Sequence, residues 1–300
     1  MIRPIAICVL RRDDEILVFE ARDETRGLTF YRPLGGGIEF GERSDDAVRR
    51  ELQEEIGAEL DDLRLLTVLE NLFELEGKAS HEIVFVYEAT FAEQSLYDRQ
   101  TFVVTEETGT LPGYWRRLTD FDMASSPLYP EGLVELLSAP RRARPGGTKP
   151  ADNLAEWRAW TGKIRASAIC AIRRQTQVLA ARGYDPARDL HFWFLPGGGM
   201  QFGETSEEAV RREVREELGA EVVDLRRLEV LENRFTHDGD PFHAVMFVYE
   251  GNFADPSMYE RDSFPGEAHG EWETAGWRDL ASFDEEPLYP EGLLELLRGR

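Results

Sequence analysis

The sequence predicts an α/β protein made of two similar units in tandem, and three observations lead to this prediction. A long motif occurs twice, 162 residues apart. Each half combines short β-branched or aromatic runs, which are typical of strands, with one dominant segment of helical periodicity. The 300 residues are enough for two domains of ordinary size, each with its own hydrophobic core.

The duplicated motif covers residues 36–58 and 198–220. Both copies fit G-x5-E-x7-R-E-U-x-E-E-x-G-U, where U is an aliphatic residue or, at the last position, alanine. Of the 23 positions, 15 are identical in the two copies. The similarity continues outside the motif, since residues 85–88 match residues 247–250 and each half ends on the same Pro-Leu-Tyr-Pro-Glu-Gly run. A repeat of this length at one spacing indicates a duplicated domain.

The first copy predicts a helix that starts at Ser44 and stops at Gly57. Two acidic residues follow Ser44, which suits the start of a helix, and glycine is a common helix stop. Apolar residues recur at helical spacing and form one buried face. These residues are Ala47, Val48, Leu52 and Ile56.

On this helix Glu51, Glu54 and Glu55 share one face, because they stand at positions i, i+3 and i+4. Three like charges destabilise a helix unless a cation lies among them. A hard divalent cation fits, since magnesium prefers oxygen ligands and takes further ligands from phosphates. The ordinary alternative is that this acidic face is merely solvated. That alternative does not explain the upstream glycines 35–37, which allow close approach to a ligand. Nor does it explain why the glycines and the acidic face recur together in the second half.

The motif in residues 36–58 and 198–220 resembles the Nudix box, and the chain is identified as two Nudix hydrolase domains in tandem. The resemblance implies that each domain is an α/β/α sandwich with mixed β-sheets. It also implies a dependence on Mg²⁺ or Mn²⁺ and attack by a metal-polarised water on phosphorus. The substrate would be a nucleoside diphosphate linked to another group, whose identity the motif does not specify.

The same resemblance implies the roles of individual residues. The metal ligands would be the box glutamates and the carbonyl that precedes the motif, namely Gly35, Glu51, Glu54 and Glu55, then Gly197, Glu213, Glu216 and Glu217. The catalytic set would be Glu51 and Glu54 with the orienting Arg50, and Glu213 and Glu216 with the orienting Arg212. Glu42 and Glu204 would support the glycine loops without binding metal.

The general base stays open between a box glutamate and an acidic residue on a later loop. In the second half that loop offers Glu271 and Glu273. In the first half Gly109 and Leu111 take these positions, with only the acidic residues 106 and 107 nearby. If the loop supplies the base, we expect the first domain to be the weaker enzyme.

Candidate substrate contacts precede the glycines. Tyr31 and Trp193 could stack on a base, and Arg32 could hold a phosphate. Alternating positions of a strand are as typical of a core, so both interpretations stay open. Because the halves differ here, we expect them to prefer different substrates.

Composition restricts the partners and the compartment. The net charge of −23 disfavours broad contact with duplex nucleic acid, which needs clustered cations. It suits a small nucleotide substrate only if metals locally invert the field. Cys8 and Cys170 lie in apolar runs, and we expect buried thiols in a reducing cytoplasm. The apolar start meets charged residues after ten positions, which predicts a strand and not a signal peptide, and no run is long enough to span a membrane.

The predicted organisation is a first Nudix domain over residues 1–140, a basic Pro/Gly/Arg linker with a short helix over 141–162, and a second domain over 163–300. We expect the fusion to form an intramolecular pseudo-dimer, and further homo-oligomerisation is left open. Two alternatives also stay open. In the first alternative, one domain is catalytic and the other is regulatory or structural. In the second, the whole chain is a nucleotide sensor without catalysis. Two intact boxes favour the enzyme.

Overall fold

The computed structural model describes residues 1–106, 109–139, 162–265 and 274–299. The chain divides into two compact units, Met1–Ala159 and Trp160–Arg300. The predicted linker with its short helix, and the two predicted loop bases Glu271 and Glu273, lie outside the described residues. The boundaries predicted at residues 140 and 163 therefore stay predictions.

The first unit is built on an eight-stranded mixed sheet. Its order is β5-β6-β1-β2-β8-β7, with β3 paired to β2 and β4 paired to β1. The strands β1 and β6 are parallel and the other pairs are antiparallel. Its elements are β1 (Ile2–Arg12), β2 (Glu15–Asp23), β3 (Leu28–Arg32), β4 (Leu34–Gly37), α1 (Ser44–Ile56), β5 (Leu60–Leu75), β6 (Lys78–Phe91), β7 (Thr101–Glu106), β8 (Gly109–Arg117) and α2 (Leu133–Ser138).

The second unit repeats this plan. Its nine-stranded sheet has the path β13-β14-β9-β10-β11-β17, with β12 paired to β9 and β16 paired to β10 and β15. Its elements are β9 (Arg165–Arg174), β10 (Gln177–Asp185), β11 (Leu190–Phe194), β12 (Gly197–Gly199), α3 (Ser206–Leu218), β13 (Val222–His237), β14 (Asp240–Phe253), β15 (Ser263–Pro265), β16 (Thr274–Asp279), β17 (Leu288–Tyr289) and α4 (Leu293–Arg298). Two mixed sheets with helices confirm the predicted α/β fold class.

The first strand of each unit carries the core on both faces. In β1, Ile5 and Ile7 pack in one buried cluster with Leu133 and Leu137 of α2. The intervening residues face the opposite side, where α1 lies, because side chains of a strand alternate. Cys8 and Cys170 are unpaired, fully buried thiols, as predicted. Burial raises the pKa of Cys170 to about 12, so this thiol stays protonated and is no nucleophile.

The box helix α1 starts and stops where predicted, but Ser44 does not cap it. The residue at the N-cap position is Arg43, which makes no capping side-chain bond. The hydroxyl of Ser44 is buried and lies 2.6 Å from the hydroxyl of Tyr87 on β6. Gly57 ends the helix in the left-handed conformation with φ of 67°. In the second unit Thr205 forms a complete capping box with Glu208, which the first unit lacks.

In the described part of the chain, no helix is both long and apolar enough to cross a membrane.

From the buried side chain of His243 on β14 we predict that the second unit loses stability in acid. The side chain is buried, and desolvation lowers its pKa to about 4, while an unfolded histidine titrates near 6.5. Between these values the unfolded state binds a proton that the folded state does not, so stability falls as the pH falls through this window. The loss is at most about 3 kcal/mol. We expect His243→Gln to reduce the loss of hydrogen-exchange protection that the amides of β14 show between pH 7 and pH 4.5. An unchanged pH dependence in that variant would contradict the assignment.

Candidate active site

The site begins at a loop where only glycine fits. Gly35 has φ of 126°, and a Cβ added there would lie 2.2 Å from the carbonyl oxygen of Ala6. The close approach of β4 to β1 brings the backbone N–H of Gly35 to Glu55, whose Oε2 accepts a hydrogen bond of 3.0 Å. In the second unit the N–H of Gly197 donates to Oε2 of Glu217 at 2.9 Å.

The next glycine makes room for a carboxylate of the box helix. A Cβ on Gly36 would lie 2.5 Å from the carboxyl carbon of Glu51, and a Cβ on Gly198 would lie 2.6 Å from that of Glu213. The carboxylates of Glu51 and Glu213 therefore lie directly against the loop backbone. The absence of a side chain on the loop is a requirement of this packing.

Arg50 connects the loop to the acidic face of α1. Its guanidinium forms two hydrogen bonds with Glu42, at 2.9 and 2.8 Å, and donates to the carbonyl of Gly37 at 2.8 Å. It also donates to Glu51 at 2.8 Å and to Glu54 at 3.2 Å. The hydrogen bonds to Glu42 and Glu51 hold the pKa of Arg50 above its already high value, so the positive charge is permanent.

Arg212 repeats this network in the second unit. It contacts Glu204 at 2.7 and 3.1 Å, Glu213 at 2.7 Å and Glu216 at 3.1 Å, and donates to the carbonyl of Gly199 at 2.9 Å. The role predicted for Glu42 and Glu204, support of the glycine loop, stays a prediction. Each of these glutamates holds the arginine that in turn holds the box carboxylates.

The donor set suits a hard divalent cation. Glu51 and Glu55 are largely buried, whereas the Glu54 side chain is 60% exposed and open to solvent. Burial raises the pKa values of Glu51 and Glu55, and the neighbouring carboxylates Glu54 and Glu106 add to these shifts. Within the described ranges no three acidic, histidine or cysteine side chains are already gathered around one point. The guanidinium of Arg50 donates to both Glu51 and Glu54. A metal ion bound by these two carboxylates would replace part of their contacts with the guanidinium.

Glu106 adds a further carboxyl to the first site. It is the last residue of β7, which packs beside α1, and after burial its charge is the largest contribution to the raised pKa of Glu55. The sequence places Glu106 only in the neighbourhood of the predicted loop base, whereas the folded chain brings it to the box helix. The aligned residue of the second half, Ala268, lies outside the described residues.

We expect Glu106→Gln to impair only the first unit. The amide keeps the size and shape of the side chain but can neither accept a proton nor carry the charge that a cation prefers, so turnover should fall about 10- to 100-fold. The measurement is metal-dependent turnover in a Glu216→Gln/Glu217→Gln background, which disables the second box. The same change in a Glu54→Gln/Glu55→Gln background is the control and should have no effect. Full activity of Glu106→Gln in the first background would exclude this role.

The two predicted stacking residues belong to the core. Tyr31 is 6% exposed, donates to Glu20 at 3.0 Å and accepts from Arg116 at 2.6 Å, and the Arg116 guanidinium lies 4.3 Å over its ring. Trp193 is 7% exposed and has Arg278 at 4.1 Å over its ring. Their faces are covered, so of the two interpretations left open by the sequence the core is the one that the structure supports, and the candidate substrate contact is corrected. Strand alternation alone could not tell which side of β3 or β11 faces inward.

Arg32 has a different environment from Tyr31. Its side chain is 25% exposed, and Nη2 lies 3.6 Å from Oε2 of Glu82 on β6. Arg32 remains the one predicted substrate contact whose side chain reaches an accessible position.

Comparison with known proteins agrees with this geometry. The family model described as NUDIX domain matches residues 1–131 and 163–296. Nucleoside triphosphatase NudI of Enterobacter sp. (strain 638) is 74% identical over 27 residues, which cover 9% of this chain and 19% of that protein. RNA pyrophosphohydrolase of Serratia proteamaculans (strain 568) is 43% identical over 65 residues, which cover 22% of this chain and 35% of that protein.

A solved structure, the MutT NUDIX hydrolase from Burkholderia pseudomallei, aligns with a TM-score of 0.35 and 26% identity over 46% of this chain and 98% of that chain. The chain spans well under half the length of the two relatives named above. The family model, in contrast, covers most of both units, including both glycine loops and both acidic helices. The chain therefore belongs to the NUDIX domain family, with one NUDIX domain in each unit.

Proposed function

We propose that both units hydrolyse a diphosphate linkage in a nucleoside diphosphate joined to another group, with Mg²⁺ or Mn²⁺ as cofactor. The observation that carries the proposal is the carboxylate set of α1, held against the glycine loop by Arg50 and repeated around Arg212. The names of the relatives, a nucleoside triphosphatase and an RNA pyrophosphohydrolase, support the same class of bond. We place the enzyme in the cytoplasm, with small nucleotides as its partners.

The residues that would hold the cation are Glu51, Glu54 and Glu55 with the carbonyl of Gly35, and their counterparts Glu213, Glu216, Glu217 and Gly197. A bound cation would neutralise phosphate charge and lower the pKa of a water molecule. The chain itself orients the ligands. Arg50 holds Glu51 and Glu54, and the N–H of Gly35 holds Glu55 by one carboxylate oxygen.

The proton of the attacking water needs an acceptor on the protein. In the first unit Glu106 is suited to this task, because β7 packs against α1 and the Glu106 carboxyl is near enough to raise the pKa of Glu55, one of the proposed ligands. In the second unit Glu271 and Glu273 remain the candidates that the sequence offers. The two units would then have equivalent sets of metal ligands but different proton acceptors.

The test is product formation from a panel of diphosphate-linked nucleotides with Mg²⁺ or Mn²⁺. The panel contains ADP-ribose, a dinucleoside polyphosphate, an oxidised nucleoside triphosphate and a sugar nucleotide. Wild type is compared with Glu54→Gln/Glu55→Gln and with Glu216→Gln/Glu217→Gln, in the full chain. Glu59→Gln, an exposed position just after α1, is the matched control and should retain full activity.

We expect each double variant to remove the activity of one unit, by at least about 100-fold for that substrate. Loss with only one pair would make the other unit regulatory or structural. If no substrate is turned over with either metal, the proposed hydrolysis is contradicted and the nucleotide sensor is the function that remains.

A further inference from the structure

A pair of buried hydroxyls joins the start of each box helix to the sheet. Ser44 is the first residue of α1, and its hydroxyl lies 2.6 Å from the hydroxyl of Tyr87 on β6. In the second unit the hydroxyls of Ser206 on α3 and Tyr249 on β14 lie 2.7 Å apart. Both serines are fully buried, and both tyrosines are 6% exposed. At these distances one hydroxyl donates to the other, so each pair is a hydrogen bond closed to water.

Tyr87 stands on the same part of the sheet as the glycine loop. Cys8 of β1 lies opposite Tyr87 of β6 on one side and opposite Leu34 of β4 on the other. These three residues form a row across three strands about 10 Å wide, and the glycines follow Leu34 directly. Tyr249 likewise lies opposite Cys170 of β9. A helix that is bonded to the tyrosine and to the loop is therefore bonded to a single sheet surface.

The helix α1 is held to this surface at two distant places. Near its end, the N–H of Gly35 donates to Oε2 of Glu55 at 3.0 Å. At its start, Ser44 is bonded to Tyr87, about 16 Å away along the helix axis at 1.5 Å per residue. Burial of the apolar face attracts the helix to the sheet but does not set its direction, because the hydrophobic effect is non-directional. Two hydrogen bonds far apart oppose both tilting and sliding of the acidic face.

The second unit orders the start of its box helix by an additional local motif. The side chain of Thr205 accepts from the N–H of Glu208, and the side chain of Glu208 accepts from the N–H of Thr205 at 2.8 Å. Arg43, at the N-cap position of α1, makes no capping side-chain bond. A capping box stabilises the first turn of a helix. Loss of the tyrosine hydroxyl should therefore matter more for α1 than for α3.

We propose that Tyr87 and Tyr249 are positioning residues of the two sites. By holding the start of the box helix, each tyrosine sets where the acidic face meets the glycine loop, and so how well the carboxylates bind a divalent cation. Groups that orient metal ligands without touching the metal contribute about 10- to 100-fold to affinity or activity. The role rests on the proposed function, because it concerns the same carboxylates. Both tyrosines lie outside the duplicated motif, on β6 and β14.

The test measures cation binding by the first unit without substrate. Mn²⁺ is titrated calorimetrically into the full chain in the Glu216→Gln/Glu217→Gln background, which disables the second box. We expect Tyr87→Phe to weaken Mn²⁺ binding about 10-fold, because the carboxylates no longer meet the cation together. Turnover by the first unit should fall by a similar factor.

Tyr97→Phe is the matched control for a merely structural role. It removes a tyrosine hydroxyl from the same unit, but this hydroxyl accepts from the backbone N–H of Phe91 on β6, at 3.1 Å, and not from the box helix. We expect the two variants to lower the unfolding temperature by similar amounts, with Mn²⁺ affinity reduced only in Tyr87→Phe. Equal Mn²⁺ affinities of the two variants would leave Tyr87 a structural residue and overturn the proposal.

A double-mutant cycle tests whether the hydroxyl pair itself is responsible. Ser44→Ala removes the other half of the pair. Because one hydrogen bond joins the two side chains, Ser44→Ala/Tyr87→Phe should weaken Mn²⁺ binding no more than either change alone. Losses that multiply in the double variant would show that the two hydroxyls act separately, which contradicts the proposal.

The second unit supplies an internal comparison in the Glu54→Gln/Glu55→Gln background. There Tyr249→Phe should weaken Mn²⁺ binding by a smaller factor than Tyr87→Phe does in the first unit, because the capping box still orders the first turn of α3. Adding Thr205→Ala should increase the loss. Unchanged Mn²⁺ affinity in both variants would overturn the role of Tyr249.

Two outcomes separate the positioning role from the proposed function. Weaker Mn²⁺ binding in Tyr87→Phe, without turnover of any nucleotide by the wild type, would contradict hydrolysis and keep the positioning role. Turnover by the wild type, with unchanged Mn²⁺ affinity and turnover in correctly folded Tyr87→Phe, would contradict the positioning role and keep the enzyme.

Discussion

Replacing Gly36 with alanine should abolish hydrolysis by the first unit and leave its fold intact. The new methyl group would lie 2.5 Å from the carboxylate of Glu51, which can move because it is the end of a flexible side chain. Its displacement takes a proposed ligand out of position, and we expect turnover to fall about 100-fold or more. The measurement is turnover in the Glu216→Gln/Glu217→Gln background, with thermal unfolding as the check on the fold.

The neighbouring glycines are the controls for this prediction. Gly35→Ala meets the carbonyl of Ala6 at 2.2 Å and has φ of 126°, so the backbone must shift, and we expect the free energy of unfolding to fall by at least about 3 kcal/mol. Gly37→Ala makes only an ordinary contact of 3.5 Å with Arg3 and should be nearly neutral. The aligned series 197–199 should give the same order in the second unit. Normal activity of Gly36→Ala would contradict the placement of Glu51.

Removing Arg50 should have the second largest effect, on stability and activity together. Arg50 contacts three carboxylates and one carbonyl, and its side chain is 25% exposed. Without it, the repulsion among these carboxylates is uncompensated. We expect Arg50→Ala to lower the free energy of unfolding of the metal-free first unit by about 2–3 kcal/mol, reduced from the range for buried pairs by partial exposure.

Turnover of the first unit should fall about 100-fold in Arg50→Ala, because Glu51 and Glu54 lose the group that orients them. Added Mg²⁺ should recover part of the lost stability, since a cation replaces some of the missing charge. Arg49→Ala is the matched control. Arg49 precedes Arg50 on α1 but donates to the carbonyl of Leu60 at 2.6 Å, away from the acidic face. Equal effects of the two variants would contradict a specific role for Arg50.

The box and its helix were predictable because their interactions are local in sequence. Arg50 reaches Glu42, Glu51 and Glu54 within eight residues along the chain. Helical spacing determines which glutamates share a face, and the glycines mark the turn. The exception is Ser44, where a cap was expected. Its partner, Tyr87, lies 43 residues away on β6, and such a contact leaves no local pattern.

The parts that sequence could not supply depend on strands that meet only in the folded chain. Period-two alternation shows that a strand has two faces but does not tell which is buried, so the sequence left Tyr31 and Trp193 open between substrate and core, and both lie in the core. Glu106 comes near Glu55 because β7 packs beside α1, and its charge raises the pKa of Glu55.

The duplication, the fold class, the acidic face and the glycines before it follow from the sequence alone, because each is a pattern of neighbouring residues. What surrounds the box depends on side chains from strands that meet only in the folded chain. In the second unit the rings of Phe192, His237 and Phe242 come from β11, β13 and β14, whereas the first unit has Leu75 and Ser80 in place of His237 and Phe242. Side-chain packing between distant strands thus distinguishes two units whose boxes are almost the same.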